Sequence, residues 1–172
     1  MIIRRKLILS GTAALLVGIL PRHVGAADDP VGILTAIYVR VAKGKGDSGG
    51  TFVIQKANRA KYLSNGLTLL WAKADARTKK GDGGPVDFDP VTNSQDPDVK
   101  AFKVAVDKQT ADKATLAVTI ESHQPEARAN PADKTIRYDF VREAGQWKID
   151  DIKGAVDGSP WSIRALLAAS LK

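Results

Sequence analysis

Cysteine is absent from this 172-residue chain, and histidine occurs only twice. Without cysteine there can be no disulfide and no thiolate site, so the protein must be held together by its core alone. One histidine, His23, lies in an N-terminal segment with the marks of an export signal. That leaves His123 as the only histidine available to a mature protein, at the end of a strand and a weak base candidate. No apolar run reaches the ~20 residues a membrane helix needs. The longest, Leu7 to Leu20, has 14 residues. Internal repeats are missing, and low-complexity sequence is confined to glycine-rich loops.

The first 26 residues read as a targeting segment. Arg4, Arg5 and Lys6 precede the apolar run, and Val24 and Ala26 offer small residues for cleavage after Ala26, with Ala27 nearly as good. The paired arginines resemble a twin-arginine export signal; an ordinary secretory signal and an uncleaved anchor are the alternatives. Cleavage would leave residues 27–172 as a single domain, long enough to bury about 68–70% of its unfolded surface. The segment holds four of the 26 Lys and Arg and none of the 19 acids, so net charge falls from +7 to +3. A balance this mild, spread along the chain, argues against nucleic acid as a partner.

Helical periodicity comes first. Asp29-Pro30 is an N-cap followed by proline at the first helical position, and Ile33, Leu34, Ile37, Tyr38 and Val41 form one stripe. Phe52 to Lys61 is ambiguous. Ser64 is a good N-cap for a second helix that buries Leu67, Leu70, Trp71 and Ala74. The period then changes to two. Phe102, Val104 and Val106 alternate, as do Leu116, Val118 and Ile120, then Ile136, Tyr138 and Phe140, then Trp147, Ile149 and Asp151. An amphipathic segment from Ser162 to Leu171 ends the chain. Helices followed by consecutive strands predict an α+β fold: N-terminal helices on a curved antiparallel sheet of about four strands, with a short C-terminal helix.

Gly46-Asp47-Ser48-Gly49-Gly50 spells the nucleophile signature of trypsin-like proteases. That chemistry also needs a His base and an orienting Asp. The only histidine before Ser48 is His23, so the match is read as a glycine-rich loop. Residues 86–98 carry four Asp. As a calcium loop they fit poorly, because Val91 and Thr92 occupy ligand and glycine positions. Asp87, Asp89, Asn93 and Asp96 read instead as an acidic turn, bonding its own backbone beside two prolines. No metal and no cofactor is expected.

Residues 133–153 are the most informative stretch. A two-residue Ala144-Gly145 turn would set Phe140 opposite Ile149, Tyr138 opposite Asp151, and Asp139 opposite Asp150 on the other face. Arg137 and Lys148 would offset that like-charge pair. Tyr138, Phe140, Trp147, Ile149 and Asp151 would then line one concave pocket, with the Tyr138 hydroxyl the natural partner of the Asp151 carboxylate. Alternatively Asp151 reaches water at the sheet's end.

Tyr62-Leu63-Ser64, D-F-D-P at Asp87 to Pro90, N-S-Q-D at Asn93 to Asp96 and G-Q-W-K-I-D-D-I at Gly145 to Ile152 together resemble a bacterial exported family known as domain of unknown function 3828. That family lies within the nuclear-transport-factor-like, or cystatin-like cone, fold. The resemblance implies helices packed into a curved sheet with a pocket, and no established activity. Three functions compete. The first is a non-catalytic periplasmic binding or accessory protein. The second is an inhibitor or immunity-type partner of a cell-envelope enzyme. The third is a small-molecule hydrolase or isomerase using Asp151 with Tyr138. A large apolar cavity around Trp147 and Asp151 would favour the first and third; a filled cone with an exposed apolar patch would favour the second. The expected partner is a small ligand or an envelope protein, with membrane contact only through the export signal and a homodimer left open.

The segment reading makes a direct prediction. N-terminal sequencing of protein extracted from cells should begin at Ala27 or Asp28; a retained Met1 in a membrane fraction would refute it.

Overall fold

A computed structural model describes residues 29–44, 52, 55–79, 81, 83–95, 98–124 and 128–172. The N-terminal segment expected to direct export, its expected cleavage site, Ser48 and Asp96 lie outside the described residues. Helix α1 (Pro30–Ala42) starts where Asp29 caps it, its carboxylate accepting from the Gly32 amide at 2.8 Å. Its buried residues Leu34, Ile37, Tyr38 and Val41 make one stripe. The ambiguous stretch forms a short helix, α2 (Lys56–Tyr62). Ser64 caps α3 (Asn65–Arg77), accepting from the Leu67 amide at 3.0 Å, and Leu67, Trp71 and Ala74 are buried. Among the described residues no helix is long and apolar enough to cross a membrane.

The rest is an antiparallel meander of five strands in sequence order: β1 (Ala101–Gln109), β2 (Lys113–Glu121), β3 (Thr135–Glu143), β4 (Gln146–Val156) and β5 (Ser159–Ser162). The fold is therefore α+β, as the change of period predicts. The fifth strand follows a tight turn in which Asp157 (φ 51°) and Gly158 (φ 77°) are both left-handed, the geometry that Asp-Gly favours in two-residue hairpins. Helix α4 (Ile163–Ala169) then begins at an N-cap serine, Ser162, with Ile163 and Leu167 buried. Helices α1, α3 and α4 deliver their stripes to one core. Leu116, Val118, Ile136, Tyr138, Ile149 and Ile152 form the sheet's contribution, each fully buried. Where β4 runs past β5, Leu63 bridges Ile149 in parallel, and the Ser64 amide donates to the Ile149 carbonyl at 2.8 Å.

The β3–β4 hairpin corrects the predicted register. Its turn is as expected: Ala144 (φ 48°) and Gly145 (φ 82°) are left-handed, and Phe140 stands opposite Ile149. One residue later β4 carries a bulge. Asp139 pairs with Asp151, and Asp150 is the extra residue. Tyr138 therefore faces Ile152 rather than Asp151, and Arg137 faces Lys153. Asp150 is not part of a solvated charge checkerboard. Its carboxylate accepts from the buried Ser64 hydroxyl at 2.6 Å and from the Arg164 guanidinium. Arg137 bonds Asp107 instead, and the Lys148 ammonium donates to the Lys61 carbonyl at 2.7 Å. Asp151 accepts from the Ser162 hydroxyl at 2.7 Å, the Arg164 amide at 3.1 Å and the Ile152 amide at 2.9 Å. The physical cause is visible in these bonds. Two consecutive carboxylates each hold a helix start, α3 through Asp150 and α4 through Asp151, and a regular strand would send them to opposite faces.

Both acids should therefore matter to stability. Asp151→Ala, which strips three donors of their acceptor, should cost about 1–3 kcal/mol. Asp150→Ala should cost about 1 kcal/mol by orphaning the Ser64 hydroxyl. Urea melts of the two variants check this; a loss within about 0.3 kcal/mol at either position would contradict its bracing role.

Candidate functional site

Of the five residues expected to line a concave pocket, Tyr138, Phe140 and Ile149 lie in the hydrophobic core with at most 1% of their surface exposed. Trp147 is nearly buried, with the Arg142 guanidinium 5.6 Å over its ring. Asp151 shares no wall with them, since the bulge turns it towards α4. The Tyr138 hydroxyl bonds not Asp151 but the Tyr38 hydroxyl, at 3.0 Å, and Tyr38 in turn donates to the Val91 carbonyl at 2.7 Å. Burial pushes both phenols well above their ordinary range. The acid–tyrosine pair that a catalytic reading requires is not formed.

The acidic turn folds onto the end of the sheet. Asp89 closes it, accepting from the Val91 amide at 2.9 Å and the Thr92 hydroxyl at 2.7 Å. Burial pushes this carboxyl up to about 6, against the lowering effect of those bonds. Asn93, left-handed at φ 53°, reaches across. Its amide donates to the carbonyls of Ala155 (2.6 Å) and Asp133 (3.2 Å), and its oxygen accepts from the Trp161 indole at 2.8 Å. Asp87 is exposed, and Asp98 pairs with His123 at 2.6 Å. That hydrogen bond holds the Asp98 carboxyl below its ordinary value. Asp87, Asp89 and Asp98 thus do not converge. Among the described residues no three His, Cys, Asp or Glu are placed to hold a metal ion.

Sequence reading missed the groups behind this turn. Arg128 is buried, donating from Nε to the Ser122 hydroxyl at 2.9 Å, from one terminal nitrogen to the Asp133 carbonyl at 3.2 Å, and from the other to the Thr92 carbonyl. The Asp133 carboxylate accepts from the amides of Asp157 and Gly158, each at 3.0 Å, and so closes the β4–β5 turn. The Asp157-Gly158 dipeptide was the local signal that could have revealed this hairpin.

This network backs a groove on the other side of the same elements. The groove has a volume of about 1060 Å³ and lies between the outer face of β3 and β4, strand β5, the 3₁₀ turn Pro131–Lys134, and α4. Its walls are mostly apolar, with Pro131, Ala155, Pro160, Trp161, Leu166 and Ala169 among them. Among the described residues, Arg137 and Lys153 are its only charged wall residues. Close packing shapes one edge. A Cβ at Gly154 would stand 2.6 Å from the Trp161 ring, so only glycine lets that indole cross β4. The indole is locked from behind by Asn93 and edge-on by Phe88, ring centres 4.9 Å apart.

No family model matches the chain, and no curated protein or solved structure matches it either.

The Asp89 shift sets a pH dependence whose sign follows from linkage. The folded carboxyl binds its proton more tightly than the unfolded one at about 3.8, so the stability it contributes is complete below that pH. It is lost as pH rises through about 6, by up to about 3 kcal/mol. Asp89→Asn should remove this step. Denaturant melts at pH 4 and 7.5 should show the variant gaining on the wild type as pH rises; parallel profiles would refute it.

Proposed function

We propose that residues 27–172 form a non-catalytic periplasmic binding protein on a nuclear-transport-factor-like cone, and that its ligand occupies the groove outside the sheet rather than the cone. The observation that carries this reading is the groove itself. At about 1060 Å³ it is just above the usual range for small-ligand sites, roughly 300–1,000 Å³, and its walls are mostly apolar with two cations among them. The helices-then-meander order supports the fold assignment, and the basic, apolar and small-residue series in residues 1–26 supports export. The binding reading gains over the hydrolase reading because Asp151 and Tyr138 are committed to separate structural bonds. It gains over the inhibitor reading because the groove is a recess between β3, β4, β5, the 3₁₀ turn and α4, whereas exposed large apolar residues such as Leu69, Val106 and Val156 lie on separate elements.

A neutral apolar fluorophore tests groove occupancy independently of charge. 1-N-phenylnaphthylamine should bind saturably, and amide shifts should concentrate at Ala132, Ala155, Ala165 and Ala169. Leu166→Asp should abolish binding while leaving the far-ultraviolet spectrum intact. Shifts elsewhere, or no binding by the wild type, would sink the groove reading.

A further inference from the structure

Resting on the groove reading, we infer the class of ligand: a single-chain amphiphilic anion, its head held between Arg137 and Lys153 and its chain lying along Pro131, Pro160, Leu166 and Ala169. Arg137 and Lys153 are directly opposed across β3 and β4 and face the same groove. Like charges opposed on one face of a sheet repel. The bulge at Asp150 creates this pair, because the unbulged register would have put Ile152 opposite Arg137. Bulges recur beside functional sites, where they re-aim side chains.

Each cation has one acid partner. Asp107 takes the Arg137 Nε at 3.3 Å, and Asp139 takes the Lys153 ammonium at 2.5 Å. Neither acid is in the groove wall, which contains no carboxylate among the described residues. Among the described residues the two terminal amino groups of Arg137 have no hydrogen-bond partner. The two side chains keep 54% and 38% of their surface exposed, so both can turn towards an anion. A planar guanidinium beside an ammonium suits a carboxylate or phosphate monoester. A bare anion would leave the rest of the groove unfilled, and its remaining walls are hydrocarbon. The groove is recessed between a sheet face and a helix, which fits a monomeric chain rather than the surface of a bilayer.

Calorimetry below micelle-forming concentrations, with 1-N-phenylnaphthylamine displacement as a second readout, separates the outcomes. Laurate and dodecyl phosphate should bind about tenfold or more tightly than dodecanol, and dodecyltrimethylammonium most weakly of the four. Decanoate should bind roughly tenfold more weakly than laurate, for two methylenes lost. In the double variant Arg137→Gln/Lys153→Gln, laurate and dodecyl phosphate should bind no more tightly than dodecanol; a retained tenfold preference for the anions would overturn the assignment of the head. Equal binding of dodecanol and laurate, with the fluorophore still in the groove, would overturn the anionic head and leave the groove reading standing. Acetate or inorganic phosphate binding as tightly as laurate would overturn the apolar body. Association with phosphatidylglycerol vesicles without monomer binding would overturn the monomeric ligand. If neither fluorophore nor any amphiphile binds, the groove reading falls together with this one.

Discussion

A single extra residue in β4, Asp150, governs most of what distinguishes this structure from a plain hairpin packed on helices. Because strand side chains alternate faces, inserting one residue moves every later side chain of β4 to the opposite side of the sheet. Ile152 is thereby delivered to the core opposite Tyr138, Asp151 to the start of α4, and Lys153 to the outer face opposite Arg137. The cost of a broken ladder is offset locally. The two adjacent carboxylates accept hydrogen bonds from Ser64, Ser162, Arg164 and the strand's own amide, so neither is left buried and unsatisfied.

The second constraint is a buried polar network at the end of the sheet. Asp89 shapes a turn, Asn93 and Arg128 tie that turn to Asp133, Ala155 and Trp161, and Asp133 closes the last hairpin. Each of these groups is largely removed from water, so each costs free energy unless its bonds are made, and the satisfied set specifies one arrangement. The same residues support the groove from behind: Asn93 holds the indole and the Ala155 carbonyl that belong to its wall. Asp89 thus shapes the turn that stands behind the groove wall, its carboxylate spent on a backbone amide and a hydroxyl.

Packing fills the helix-covered side of the sheet. Tyr38, Tyr138 and Trp71 fill it with large side chains, and the two phenols satisfy each other and a carbonyl, while α1 and α3 cover the sheet. The open space is left instead where β5 and α4 turn back over the outer face. There small side chains such as Ala155, Ala165 and Ala169 leave room between strand and helix.

Local chemistry in the chain determined a good deal. The caps at Asp29 and Ser64, the helical stripes, the alternating runs of β2 and β3 and the Ala144-Gly145 turn are each set by residues close in sequence and form as their patterns predict, whereas the fourth run breaks at the bulge before Asp151 and Val106 of the first is exposed. The class of fold follows from them. Register beyond Phe140 could not be read, because a bulge is chosen by partners distant in the chain: Ser64, 86 residues away from Asp150, and Ser162 and Arg164 in an element that forms only after β5 has turned. Nothing in D-D at 150–151 says which carboxylate will face which way. Arg128, Asp133 and Tyr38 were likewise silent as site residues, since their roles depend on burial that only the packed sheet creates. The candidate site itself, a cation pair above an apolar groove, exists because tertiary contacts decided where one extra residue would be inserted in a strand.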